Sequence, residues 1–115
     1  MCNGDDPYND EWIDKGKFIG ADDFSFRGFS LDMTYFECGG KHYVVWAQNG
    51  GNSNVYLATI NPERPWKTTC PAILLTKPEY DWERVNIPVN EGPAAMIHNG
   101  KIYLAIKAVL CYYIR

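Results

Sequence analysis

Gly40-Lys41-His42-Tyr43-Val44 and Gly100-Lys101-Ile102-Tyr103-Leu104 decide the fold, because they repeat one hairpin at an offset of 60 residues. Each follows a short apolar strand, Met33-Thr34-Tyr35-Phe36 in the first copy and Ala94-Ala95-Met96-Ile97 in the second. One carboxylate precedes each of these strands, Asp32 or Glu91, with a one-residue difference in spacing. A recurring unit of strand, Gly-Lys hairpin and strand is how a propeller blade is written in sequence. Propellers arrange roughly 4–8 four-stranded blades around a central channel. A period near 60 gives this chain about two blades, which reads as a fragment of a larger ring.

The same pattern extends outward from the repeat. Residues 42–47 and 54–60 read as strands rich in β-branched and aromatic side chains. Between them Asn49-Gly50-Gly51-Asn52 supplies a hairpin loop. A third strand, Ala72-Ile73-Leu74-Leu75-Thr76, stops at Lys77-Pro78, and residues 94–97 and 101–105 form the last two around His98-Asn99-Gly100. Residues 1–31 are turn-rich, with one short apolar piece, Lys17-Phe18-Ile19. No segment carries a sustained helical period with caps. The expectation is all-β: residues 1–31 end a preceding blade, 32–88 form one blade, and 89–115 start the next. A small sandwich holding two similar hairpins by chance is the alternative.

Composition narrows the function classes. Of the 115 residues 46% are apolar and 22% charged, ordinary for a globular domain. Aromatics reach 15%, with eight Tyr and four Trp, which suits strands and also suits sugar binding through ring faces. A net charge of −3 without a Lys/Arg cluster argues against a nucleic-acid partner. No apolar run approaches the roughly 18–20 residues of a membrane span. Residues 1–10 are polar and acidic and do not read as a secretory signal. Cys2, Cys38, Cys70 and Cys111 contain no CxxC pair, so a zinc site is not expected, and their spacing assigns no disulfide.

Chemistry is expected at the two carboxylates. Innermost strands of a propeller line the channel, so Asp32 and Glu91 would converge at one mouth although they are distant in sequence. Paired carboxyl groups are the minimal equipment for glycoside hydrolysis, one as acid and one as base or nucleophile. The acid must hold its proton at working pH, and a neighbouring negative charge promotes this. Glu91 lies in Val89-Asn90-Glu91-Gly92-Pro93-Ala94, where Gly permits unusual backbone angles and Pro stiffens the strand entry. A solvated turn glutamate is the plainer reading of the same residue. Trp82, in the loop before it, is the candidate pocket wall, whereas Trp46 at mid-strand reads as core. Glu83 lacks the Gly-Pro clamp and reads as structural or surface; His42 and His98 read as solvated hairpin residues.

Three stretches together resemble glycoside hydrolase family 43. They are Ser30-Leu31-Asp32-Met33-Thr34-Tyr35-Phe36 running into residues 40–46, Asn54-Val55-Tyr56-Leu57-Ala58 followed by Asn61-Pro62 and Pro65-Trp66, and Leu75-Thr76-Lys77-Pro78-Glu79-Tyr80-Asp81-Trp82-Glu83 leading to residues 89–94. The resemblance implies a five-bladed propeller that inverts configuration at the anomeric carbon. It gives Glu91 the role of general acid and Asp32 that of the residue that tunes and orients that acid, its pKa modulator. A third acid, which would activate water as general base, has no match in this chain. Neither histidine matches the family's channel-metal ligand, and no cofactor or metal is expected. The final stretch, residues 105–115, departs from the Ser-rich continuation usual in the family.

The expected function is hydrolysis of plant cell-wall side chains, more similar to the α-L-arabinofuranosidase branch than to the β-xylosidase branch. The partner would be an arabinan- or arabinoxylan-type oligo- or polysaccharide, and the intact parent would be extracellular. A catalytically inactive fragment and a non-enzymatic carbohydrate-binding β module are the alternatives.

Overall fold

The computed structural model describes residues 1–108, in which every regular element is a strand apart from one 3-10 turn. Cys111 and the end of the expected second unit lie outside the described residues. Seven strands follow one another: β1 (Ser30–Cys38), β2 (Lys41–Asn49), β3 (Ser53–Asn61), β4 (Arg64–Thr68), β5 (Ile73–Thr76), β6 (Asn90–His98) and β7 (Lys101–Ala108). The 3-10 turn, Asp81–Arg84, stands between β5 and β6.

β1, β2 and β3 form an antiparallel meander. Two short strands share the far edge of β3: β4 pairs at Ile60 and Asn61, and β5 at Val55, Tyr56 and Leu57. Together these make one five-stranded sheet whose edge beyond β3 is divided between two short strands. β6 and β7 form a separate antiparallel pair, with β6 packed beside β1. The two repeated hairpins are closed alike, by Gly39-Gly40 and by Asn99-Gly100, each pair with positive φ at both residues. A two-residue hairpin turn needs that left-handed pair to match the twist of its strands.

The sheet is covered on both faces, as the side-chain alternation of β2 and β3 requires. Val44, Trp46, Tyr56, Ala58 and Ile60 point to one side, where Phe18, Phe26, Cys70 and Ala72 pack on them. Phe36, Val45 and Val55 point to the other, against Ala95, Leu104 and Ile106 of the next hairpin. Trp46 is fully buried, in agreement with its reading as core. The turn-rich leading segment is irregular but firmly seated. Ile19 exchanges backbone hydrogen bonds with Trp66 and Thr68, at 2.9 and 3.0 Å. Asp22 accepts from the backbone N–H of Ser25 at 2.6 Å and of Ala72 at 2.7 Å. Burial pushes the Asp22 carboxyl up, yet hydrogen bonding from Ser25, Ala72 and Phe24 outweighs it and holds the group below the usual carboxylate range.

Some strand readings needed correction. β4 carries Arg64, Pro65 and Lys67 and shows no apolar alternation, so its sequence hides it. It forms because Pro is tolerated at a sheet edge, where its missing N–H costs no ladder bond. His42 is half-buried rather than solvated, and its Nδ1 meets the Tyr35 hydroxyl at 2.7 Å.

Candidate active site

Asp32 and Glu91 both lie inside strands, at irregularities that interrupt the pairing. β1 slips against β2 between Leu31 and Thr34, and β6 slips against β7 between Glu91 and Ala94. Such bulges bend a strand and re-aim its side chains. The left-handed residue of the first bulge is Asp32, at φ 54°; that of the second is Gly92, at φ 60°. The one-residue difference in the spacing of the two acids is thereby explained. Asp32 corresponds to Gly92 and Glu91 to Leu31, and this is the physical origin of the one-residue difference in spacing.

The offset puts the two acids to different uses. Asp32 Oδ2 accepts from the Gly92 backbone N–H at 3.1 Å, across from β1 to β6. The Thr34 hydroxyl, two positions along β1, donates to the Pro93 carbonyl at 2.8 Å. Pro93 is fully buried. Two hydrogen bonds thus fasten the bulge after Glu91 to the bulge at Asp32. Glu91 projects from this fastened point and is mostly buried, its side chain 13% exposed. It lines a cleft of about 290 Å³ shared with Phe29, Leu31, the β2–β3 loop at residues 49–53, and residues 87–89. Lys107, its cross-strand partner on β7, places Nζ 3.3 Å from Glu91 Oε1.

Trp82 is not among the residues lining that cleft. It sits in the 3-10 turn, 60% exposed, with its ring stacked on Tyr80 at 6.0 Å between centroids and 6° between planes. Glu83, between Trp82 and the acid, is buried, and its Oε2 accepts from the backbone N–H groups of Glu79 and Tyr80 at 2.8 and 2.9 Å. The Tyr80 N–H, aided by that of Glu79, by Asn90 and by the Arg84 guanidinium, holds the Glu83 carboxyl below its usual range although burial pushes it up. A carboxylate so occupied fixes the turn. Asp6 is likewise held low, by the Asn9 side chain and the Tyr8 N–H, within a local turn far from either bulge in sequence. Among the described residues no three His, Cys, Asp or Glu side chains cluster as metal ligands would.

An antiparallel unit four strands across, followed by a second hairpin packed beside its first strand, is the architecture of a propeller. The chain belongs to the glycosyl hydrolases family 43, whose family model matches residues 2–111. It is 40% identical over 110 residues to alpha-L-arabinofuranosidase B of Pyricularia oryzae, covering 90% of this chain and 21% of that protein. To the extracellular exo-alpha-(1->5)-L-arabinofuranosidase of Streptomyces chartreusis it is 42% identical over 105 residues, covering 90% of this chain and 31% of the relative. The crystal structure of the alpha-L-arabinofuranosidase from Lactobacillus brevis superposes with a TM-score of 0.79 at 41% identity, covering 94% of this chain and 33% of that one. The chain thus spans about a fifth to a third of the length of these relatives.

Proposed function

We propose that the protein to which this chain belongs is an extracellular, inverting α-L-arabinofuranosidase that trims arabinan or arabinoxylan. The observation that carries this reading is the cross-strand bond from Gly92 to Asp32, which ties a second acid to the bulge on which Glu91 stands. Glu91 is the general acid that protonates the leaving glycosidic oxygen, with Asp32 as its modulator and orienter. The water-activating base comes from a further acid that no residue here matches. Inversion needs about 6.5–9.5 Å between acid and base, room for the water between them. The names of the relatives, among them an extracellular exo-acting arabinofuranosidase, support the substrate class and the location.

The test is Glu91→Gln in the intact parent, assayed on a linear α-1,5-arabino-oligosaccharide. Such a substrate has a poor leaving group and depends on the acid. We expect turnover to fall by about 10²–10⁴-fold, the usual contribution of a positioned acid. Turnover retained within a few-fold removes Glu91 from the role. The anomer first released, read by NMR, decides inversion.

A second reading, that this chain alone does not turn over substrate, is favoured by its span of only 21–33% of the relatives' length, with no residue here matched to the water-activating base. Measurable hydrolysis by the isolated 115-residue chain would overturn it.

A further inference from the structure

We propose that Tyr80 and Trp82 form a second sugar-holding surface, separate from the Glu91 cleft, which grips the C–H face of a pentose-rich polysaccharide. The inference rests on the carbohydrate reading above but not on hydrolysis. The two rings are parallel within 6°. Tyr80 is 66% and Trp82 60% exposed, so neither contributes much to the core. Each ring also carries a polar edge, the Trp82 indole N–H and the Tyr80 hydroxyl. Apolar faces with polar edges suit a sugar, which presents a C–H face rimmed by hydroxyl groups.

The turn beneath the rings is held by its own buried contacts. Pro78 is fully buried, the Arg84 Nε–H donates to the Pro78 carbonyl at 3.3 Å, and buried Glu83 clamps the N–H groups of Glu79 and Tyr80. A platform fixed in advance loses little freedom when a ligand docks, and this is what converts ring area into affinity. The sequence marks Trp82 alone; only the structure shows Tyr80 as its partner and Glu83 as the support.

Native gel electrophoresis of the 115-residue chain, with and without soluble linear arabinan in the gel, tests the proposal. Arabinan should retard the wild type. Trp82→Ala should weaken the retardation by about tenfold or more, and Trp82→Phe should keep most of it, since a ring face remains. Tyr80→Ala should fall between them. Circular dichroism checks that each variant keeps the wild-type fold. No retardation of the wild type by either arabinan or arabinoxylan, or equal retardation of wild type and Trp82→Ala, overturns the proposal. Retardation by arabinoxylan alone, lost in Trp82→Ala, supports the platform and moves the substrate assignment. Loss or retention of turnover in Glu91→Gln bears on hydrolysis only, so the two readings fail separately.

Discussion

Asp32 Oδ2 and the backbone N–H of Gly92 meet at 3.1 Å, so one acid of the candidate pair holds the peptide that follows the other. The contact joins the bulges of β1 and β6, and Asp32 makes it at φ 54°.

Replacing Asp32 should separate its two structural contributions. Alanine loses the acceptor and must also adopt a left-handed backbone, which together cost about 1–2 kcal/mol. Asparagine keeps a carbonyl acceptor and tolerates that region, so Asp32→Asn should lie within about 0.5 kcal/mol of wild type. Urea unfolding of both variants reads the difference. Equal stability of Asp32→Ala and wild type would remove the bulge contact from the account.

Gly92 offers a cleaner measurement of backbone strain. A Cβ built there meets nothing closer than 3.9 Å, yet φ is +60°. Gly92→Ala should therefore cost about 1–2 kcal/mol through backbone conformation alone. Gly92→Asn should cost less, despite its larger side chain. The reverse order would point to crowding.

Acid should weaken the fold. Asp22 and Glu83 are both held below their ordinary values of 3.8 and 4.5. A depressed carboxyl contributes stability that is fully present above its unfolded value and is lost as pH falls through the folded one. Urea midpoints should be level between about pH 5 and 7 and drop below about pH 4. Asp22→Asn should lower the neutral midpoint and shrink the acid drop.

The two tryptophans should respond oppositely to truncation. Trp46 is fully buried, with its Nε1–H bonded to Gln48 Oε1 at 2.9 Å, so Trp46→Ala should cost about 3–5 kcal/mol. Trp82→Ala, on an open surface, should stay within about 0.5 kcal/mol. Comparable losses would make Trp82 a packing residue and weaken its assignment to sugar.

Ile73, Leu74 and Leu75 on β5 are each 42% or more exposed. Open apolar edge strands template association. Sedimentation should show self-association that rises with concentration and is reduced by Leu74→Lys. A monomer at all concentrations would mean that this edge is protected.

Much of the blade was legible because its information is local. The left-handed hairpin pairs at Gly39-Gly40 and Asn99-Gly100, and the alternation of residues 42–47 and 54–60, each report a backbone preference or a buried face. β4 was not legible: Arg64, Pro65 and Lys67 are held by their neighbour β3 rather than by a pattern of their own. The one-residue difference between Asp32 and Glu91 was visible in the sequence, but its cause was not. Gly92-Pro93 advertises a bulge, whereas Asp32 performs the same bend with a residue that looks unremarkable in a strand. Tyr80 was missed because ring stacking across one turn leaves no periodic mark.

The clasp between Asp22 and Ala72 spans 50 positions, and this sets a timetable for synthesis. At about 5–20 residues per second, Asp22 leaves the ribosome roughly 3–10 s before its partner does. For that interval the segment around Asp22 reaches the blade first through the Gln48 side chain, which accepts from the Phe26 N–H and donates to the Phe24 carbonyl. Codon changes that slow translation between these two positions should lengthen the window in which chaperones find the chain.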